Sequence, residues 1–239
     1  MKKIQRSHDN LYLKELRYFK KPKYLTKFFF NLIKKKKFRS LLDIGCSNGS
    51  FLKYISSKIP SAQYLGTDTN QNLIKFARKM NKNIKFIKDD ITKKNKKKLK
   101  ADIVHSAGVI NIFDDVENTL RQMIARCSSK GLIYITHYFN DYDVDYLTRY
   151  RDNSNLKSQK IDEMGWNVFS KKTISRILKK NKKVLKFKFL EIEFPKTLVL
   201  KKNRNDYMRS WSTIYKGKKY FVNGLNFFNK LYFLEIKLK

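Results

Sequence analysis

The residues best placed to do chemistry lie in one stretch, Leu41-Leu42-Asp43-Ile44-Gly45-Cys46-Ser47-Asn48-Gly49-Ser50, where an apolar run enters a glycine-bearing turn and then a helical pattern. In an open α/β sheet that junction builds a nucleotide pocket. A second acid, Asp68, closes the next apolar run, Tyr64-Leu65-Gly66-Thr67-Asp68, at the roughly 20-residue interval that lets a carboxylate meet a ribose in such a unit. Together Asp43 and Asp68 point to a cofactor carrying an amine and a ribose. Asp89 and Asp90 follow the third run, and Asp114, Asp115, Glu117, Asp141, Asp143 and Asp145 follow the next two. In a parallel sheet those run ends share the edge where ligands bind, so the active rim should be the least basic face.

The elements that must position these residues are legible as alternating patterns. Strand-like runs at Ser40–Ile44, Gln63–Thr67, Ile84–Lys88, Ala101–Ser106 and Gly131–Thr136 alternate with helical segments at Ser50–Lys58, Asn70–Met80 and Val116–Cys127, the signature of a parallel sheet wrapped by helices. Residues 11–38 carry apolar side chains at helical spacing, broken by Pro22, and read as a helical flap ahead of the sheet. Residues 93–100 are lysine-rich and read as a solvated loop or frayed helix. Beyond Phe139, Lys171–Lys183 reads as a basic helix, Val184–Phe194 as a strand, Arg209–Asn223 as a hairpin turning at Gly217, and Tyr232–Leu238 as a last strand.

The chain has 239 residues and a formal charge of +35, from 55 Lys and Arg against 20 Asp and Glu. Such an excess ordinarily points to nucleic acid or an anionic surface. Here it is mostly Lys and comes with abundant Asn, Ile, Phe and Tyr but few Gly and Pro, the profile of AT-rich codons, so a solvated charged face accounts for much of it. Nucleic acid is therefore disfavoured as the acceptor, and a small molecule is favoured. Two cysteines and three scattered histidines argue against a disulfide framework and a metal site. No apolar leader or membrane-length run is present, which reads as a cytoplasmic protein with no membrane span.

From Leu41 to Thr136 the chain resembles the class I S-adenosylmethionine-dependent methyltransferases. Asp43-x-Gly45-x-x-x-Gly49 is similar to that family's first motif and departs from the dinucleotide fingerprint, offering Ser47 and Ser50 where a pyrophosphate needs glycines. The resemblance implies a Rossmann-like, seven-stranded, mostly parallel sheet flanked by helices, its last strand antiparallel. It fits one methyltransferase domain over residues 1–239: a flap at 1–39, a cofactor-binding core at 40–139, and sheet completion with a substrate cap or hairpin at 140–239. It also implies roles for S-adenosyl-L-methionine. Gly45 and Gly49, with Cys46 and Ser47, admit the methionine moiety, and Asp43 supports its ammonium. Asp68, beside Thr69, accepts the ribose hydroxyls. Asp90, followed by Ile91, takes the adenine amino group, with Asp89 as alternate. Ser106 belongs to the fourth motif, Ala101–Asp115.

A sulfonium is already an excellent methyl donor, so such an enzyme mainly holds a nucleophile about 3–3.5 Å from the methyl group and excludes water. A base matters only where the acceptor must lose a proton. His137, just past its apolar run, is the candidate base, with packing or capping of that strand as the alternative; Asn111 and Tyr138 are candidate acceptor-positioning groups, and His105, inside an apolar run, reads as core. The aromatic C-terminal portion, including Trp166, Trp211, Tyr215, Tyr220 and Phe221, reads as core beneath a cap or as a substrate lid. The expected acceptor is a small or medium-sized metabolite, with sugars and lipid-linked intermediates in view. The alternatives are an RNA methyltransferase, a non-catalytic cofactor-binding subunit and, less well matched, a nicotinamide dehydrogenase.

Overall fold

The computed structural model describes residues 11–150, 163–194, 211–222 and 230–239. In chain order, three short helices come first: α1 (Leu11–Lys14), α2 (Arg17–Lys20) and α3 (Tyr24–Ile33). Then follow β1 (Ser40–Ile44), α4 (Ser50–Lys58), β2 (Gln63–Asp68), α5 (Gln71–Met80), β3 (Lys85–Lys88), β4 (Ala101–Ala107), α6 (Val116–Ala125) and β5 (Cys127–Asn140). The C-terminal half adds β6 (Arg149–Tyr150), β7 (Glu163–Met164), β8 (Phe169–Ser170), α7 (Lys171–Lys180), β9 (Val184–Glu191), β10 (Trp211–Tyr215), β11 (Lys218–Val222) and β12 (Lys230–Leu238). The main sheet runs β3-β2-β1-β4-β5-β12-β9, with β8 pairing on β5. Strands β1 to β5 are mutually parallel, and β12 runs antiparallel to both its neighbours, as expected of the last strand.

Alternate residues of each strand face opposite layers. Leu42, Val104, Ile133 and Ile135 meet α6 and α7 through Leu120, Met123, Ile174 and Leu178. Leu41, Ile103, Tyr134 and Phe233 meet α3, α4 and α5 through Phe29, Ile33, Leu52, Ile55 and Ile74. Burial on both faces is why these strands read as unbroken apolar runs. The helices start where polar side chains can take up their free N–H groups: Asn70 accepts from Asn72 and Leu73, Asp115 from Asn118, and Ser170 from Thr173.

The N-terminal segment is more than a flap. Phe29 and Ile33 of α3 are fully buried, and Phe28 stacks on Phe233 of β12 at 5.5 Å, so α3 is a layer of the core and only the two turns before Pro22 overhang the sheet edge. The hairpin forms as the sequence implied, with Lys216 at φ 48° and Gly217 at φ 72°, the two left-handed positions that a two-residue hairpin turn demands.

One expectation is displaced. β5 does not stop at Thr136: Tyr232 of β12 pairs with His137, and Phe139 and Asn140 pair with β8. His137 therefore sits within the sheet and not past its edge.

The turn after β3 is braced from outside the sheet. Arg126, fully buried just after α6, directs Nε and Nη2 to Asp89 Oδ2 at 3.2 and 2.9 Å, while Nη1 meets the Gln122 carbonyl at 3.1 Å. Removing one partner of such a pair strands the other charge. Arg126→Leu should cost about 3 kcal/mol, read as a lower urea midpoint at unchanged slope.

Candidate active site

The loop after β1 is held in a shape few sequences could adopt. Gly45, Ser47 and Gly49 have φ of 76°, 52° and 79°, left-handed values that favour glycine. Space reinforces the choice: a Cβ on Gly45 would stand 2.4 Å from Val109 Cγ2, and one on Gly49 2.8 Å from Asn81 Nδ2 and Phe86 Cζ. The N–H groups of Gly45 and Cys46 both donate to the Thr67 carbonyl, at 2.8 and 2.9 Å, tying the loop to the end of β2.

That tie fixes Asp68. Ser47 N–H donates to Asp68 Oδ2 at 3.0 Å and Asn70 N–H to Oδ1 at 2.9 Å. The carboxylate is thus clamped between the glycine loop and the start of α5. On the flap side, Asn48 Nδ2 donates to the Tyr12 carbonyl at 2.9 Å, docking α1 over the loop.

These elements enclose a cavity of about 1350 Å³ at the carboxyl ends of the parallel strands, where ligands of open α/β sheets bind. Of the residues expected there, Asp43, Gly45, Cys46, Ser47, Asp68, Thr69, Asp89, Asp90, Ile91 and Asn111 line it. Gly49 and Ser106 do not: Gly49 backs the loop against Phe86, and Ser106 Oγ donates to the Ile44 carbonyl at 3.1 Å, lacing β4 to β1. Asp89 is engaged by Arg126, whereas Asp90 uses Oδ1 to accept from Thr92 N–H at 3.0 Å and from its hydroxyl at 2.7 Å.

His137 and Tyr138 are off the cavity wall. His137 is 2% exposed and donates Nε2–H to the Asn167 carbonyl at 2.8 Å. Burial lowers its pKa to about 4, only partly offset by that carbonyl, so it is neutral at pH 7. Asn167 in turn donates its backbone N–H to the Asn111 carbonyl at 3.0 Å and Nδ2 to Asp114 Oδ1 at 3.0 Å; His137 thus braces the segment behind the wall. Tyr138 packs its ring 6.3 Å from Phe221. Cys46 lines the cavity, but burial and the charges of Asp43 and Asp68 raise its thiol well above the usual range, which removes it as a nucleophile.

Residues without a motif complete the wall: Tyr12, Glu15 and Tyr18 from the flap, Thr26 from α3, Thr136 from β5, and Trp166 after β7. His105, read from sequence as core, also reaches it. Its Nδ1 lies 2.7 Å from Asp43 Oδ1, and burial raises the Asp43 carboxyl while His105 draws it back. The signal for His105 was its in-register position opposite Asp43 on the neighbouring strand, which only the pairing of β1 with β4 discloses.

The charge balance of the molecule reverses at this wall. Glu15, Asp43, Asp68, Asp89, Asp90, Asp114 and Asp115 line it against Lys23, Lys88 and Lys93, so the cavity suits a cationic or neutral ligand and repels a polyanion. Three wall residues carry buried side-chain oxygens with no partner among the described residues: Ser47 Oγ, Asn111 Oδ1 and Thr136 Oγ1. Buried polar atoms of this kind are normally satisfied by something bound. Among the described residues no cluster of three metal-ligating side chains occurs, and no helix is long and apolar enough to cross a membrane.

The placement of His137 has a measurable consequence. Its pKa is about 4 folded against the ordinary 6.5 of a histidine, so the unfolded chain takes up the extra proton between those values. Stability present above pH 6.5 should fall as pH drops towards 4, by up to about 3 kcal/mol from this group. Urea midpoints at about pH 7 and about pH 4.5 should show a smaller drop in His137→Gln than in the parent chain.

A family model described as a methyltransferase domain matches residues 12–181. A candidate methyltransferase of Invertebrate iridescent virus 6, 235L, is 38% identical over 68 residues, a match spanning 28% of this chain and 25% of the viral protein. Among solved structures, the plantazolicin methyltransferase BpumL in complex with SAH aligns over 96% of this chain and 88% of its own, at 18% identity and a TM-score of 0.56. Coclaurine N-methyltransferase, bound to N-methylheliamine and SAH, aligns over 70% of this chain and 50% of its own, at 14% identity and a TM-score of 0.56. At these identities the likeness to the solved structures is one of fold. The domain match covers the flap from residue 12, the glycine loop and the parallel strands β1 to β5, and by it the chain belongs to the methyltransferase-domain family.

Proposed function

We propose that this chain transfers the methyl group of S-adenosylmethionine to a small or medium-sized metabolite. The observation that carries the reading is the single cavity running from Asp90 past Asp68 and the glycine loop to the flap. At about 1350 Å³ it exceeds the roughly 300–1,000 Å³ of a pocket for one drug-sized ligand, leaving room for an acceptor beside a cofactor.

The wall fits the cofactor group by group. Asp68 is clamped where ribose hydroxyls could donate to it, which an ionised carboxylate does well. Asp90, with Oδ1 turned to Thr92 and Asp89 committed to Arg126, is the acid for the adenine amino group. Asp43 lies at the methionine end, and the acidic wall favours a ligand whose charges include an ammonium and a sulfonium. When bound, that cofactor supplies an activated methyl group. The residues of this chain then have to orient the acceptor and exclude water.

Acceptor contacts fall to the remaining wall. Asn111 Oδ1 and Thr136 Oγ1 need partners, and Tyr12, Tyr18 and Trp166 offer aromatic faces around them. Asn111 is the positioning group in this reading, and His137 supports it from behind through Asn167. A non-catalytic subunit would have no use for the extra volume, and an RNA acceptor would meet carboxylates at the rim.

Asp68→Ala should weaken S-adenosylhomocysteine binding about tenfold or more, the worth of a charge-assisted hydrogen bond; unchanged affinity in calorimetry removes Asp68 from the site. Incubated with methyl-tritiated S-adenosylmethionine, a small-molecule extract should become labelled and total RNA should not. Label confined to RNA overturns the acceptor class.

A further inference from the structure

A histidine in the middle of a buried strand calls for an explanation that packing alone does not give. At position 105 the flanking residues are Ile103, Val104 and Ser106, all nearly inaccessible, and an aliphatic side chain would satisfy the layer at no desolvation cost. The parallel register of β1 and β4 places His105 directly opposite Asp43, on the face that meets α3 and α4. Nδ1 and Oδ1 are 2.7 Å apart. The imidazole is clamped on its faces, stacked on Phe51 at 4.0 Å and 13° and abutting Phe29 at 4.6 Å, so it cannot swing away from the carboxylate.

Both residues are nearly buried, at 3% and 4% exposure, and both line the cavity. In the tautomer that donates Nδ1–H to the carboxylate, the ring's lone pair lies on Nε2. Among the described residues no protein group bonds Nε2, and His105 is part of the cavity wall. A buried carboxylate and an imidazole lone pair thus share one patch of wall at the mouth of the glycine loop.

We infer that Asp43 and His105 act as one seat for the amino group of the cofactor's methionine end. Asp43 supplies the negative charge through the oxygen that Nδ1 leaves uncommitted. His105 fixes the rotation of that carboxylate and presents Nε2 as a second acceptor, so that two of the three N–H donors of an ammonium are met. The inference rests on the proposed S-adenosylmethionine reading and on the methionine-end role given to Asp43.

The test is calorimetry on the full chain with two ligands that differ only at that end. S-adenosylhomocysteine carries the amino acid, and 5′-methylthioadenosine lacks it. His105→Leu should weaken S-adenosylhomocysteine about tenfold or more while leaving 5′-methylthioadenosine unchanged. His105→Asn, whose amide can donate to Asp43 much as Nδ1 does, should recover most of the loss. Equal loss for both ligands would mean that the ring only packs, and would overturn the inference. Unchanged S-adenosylhomocysteine affinity with slowed turnover would also overturn it, making His105 a base instead. The readings it rests on fail separately: a parent chain that binds neither ligand removes the cofactor, and Asp43→Asn binding S-adenosylhomocysteine as tightly as the parent removes the role of Asp43.

Discussion

The structure depends on one carboxylate held by two backbone N–H groups. Asp68 ends a buried strand, and its oxygens are fixed by Ser47 on one side and Asn70 on the other. Hydrogen bonds to a charged group are worth roughly 1.5–3 kcal/mol each, enough to hold Ser47 at φ 52° against the strain of that region. The glycine loop cannot relax without releasing Asp68, and Asp68 cannot turn without freeing the loop. Everything that opens onto the crevice is built around this joint.

The same economy of pairing governs the other acids at the sheet edge. Asp89 is anchored by buried Arg126 and Asp90 by Thr92, Asp43 by His105, and Asp114 by Asn167 and Arg149. Asp90 is held by its own turn and the others by partners from elsewhere in the chain, so the edge presents charge in set directions. A chain with so large an excess of lysine can keep an acidic pocket because, among the described residues, only three lysines reach the wall. The flap completes the arrangement from above, tied to the loop through Asn48 and to the sheet through the rings of α3.

Much of this was legible in the sequence because it is local. β1 and α4 begin and end where the apolar run and helical spacing change, and Asp68 is found by counting along one βαβ unit. The last strand was legible from its alternation, and its antiparallel sense from the family resemblance alone. What the sequence hid is non-local. His137 seemed to lie past a strand end because nothing nearby reveals that Tyr232 and β8 hold the chain extended through it. His105 looked like core because its partner, Asp43, is 62 residues away. The stretch of cavity wall made by Tyr12, Glu15, Tyr18 and Trp166 carries no motif at all, since its residues meet only in the folded chain. The expectation for Trp211 lies outside the described side chains, and the cap read at 140–239 lies outside the described residues over 151–162, 195–210 and 223–229.

The central claim is that the carboxylate ending β2 grips the ribose of a sulfonium nucleoside. A crystal structure of the chain soaked or grown with S-adenosylhomocysteine tests it most directly. The account predicts density across the glycine loop with both ribose hydroxyls within hydrogen-bond distance of Asp68 and the adenine amino group at Asp90. Density elsewhere, or a ribose turned away from Asp68, would contradict it.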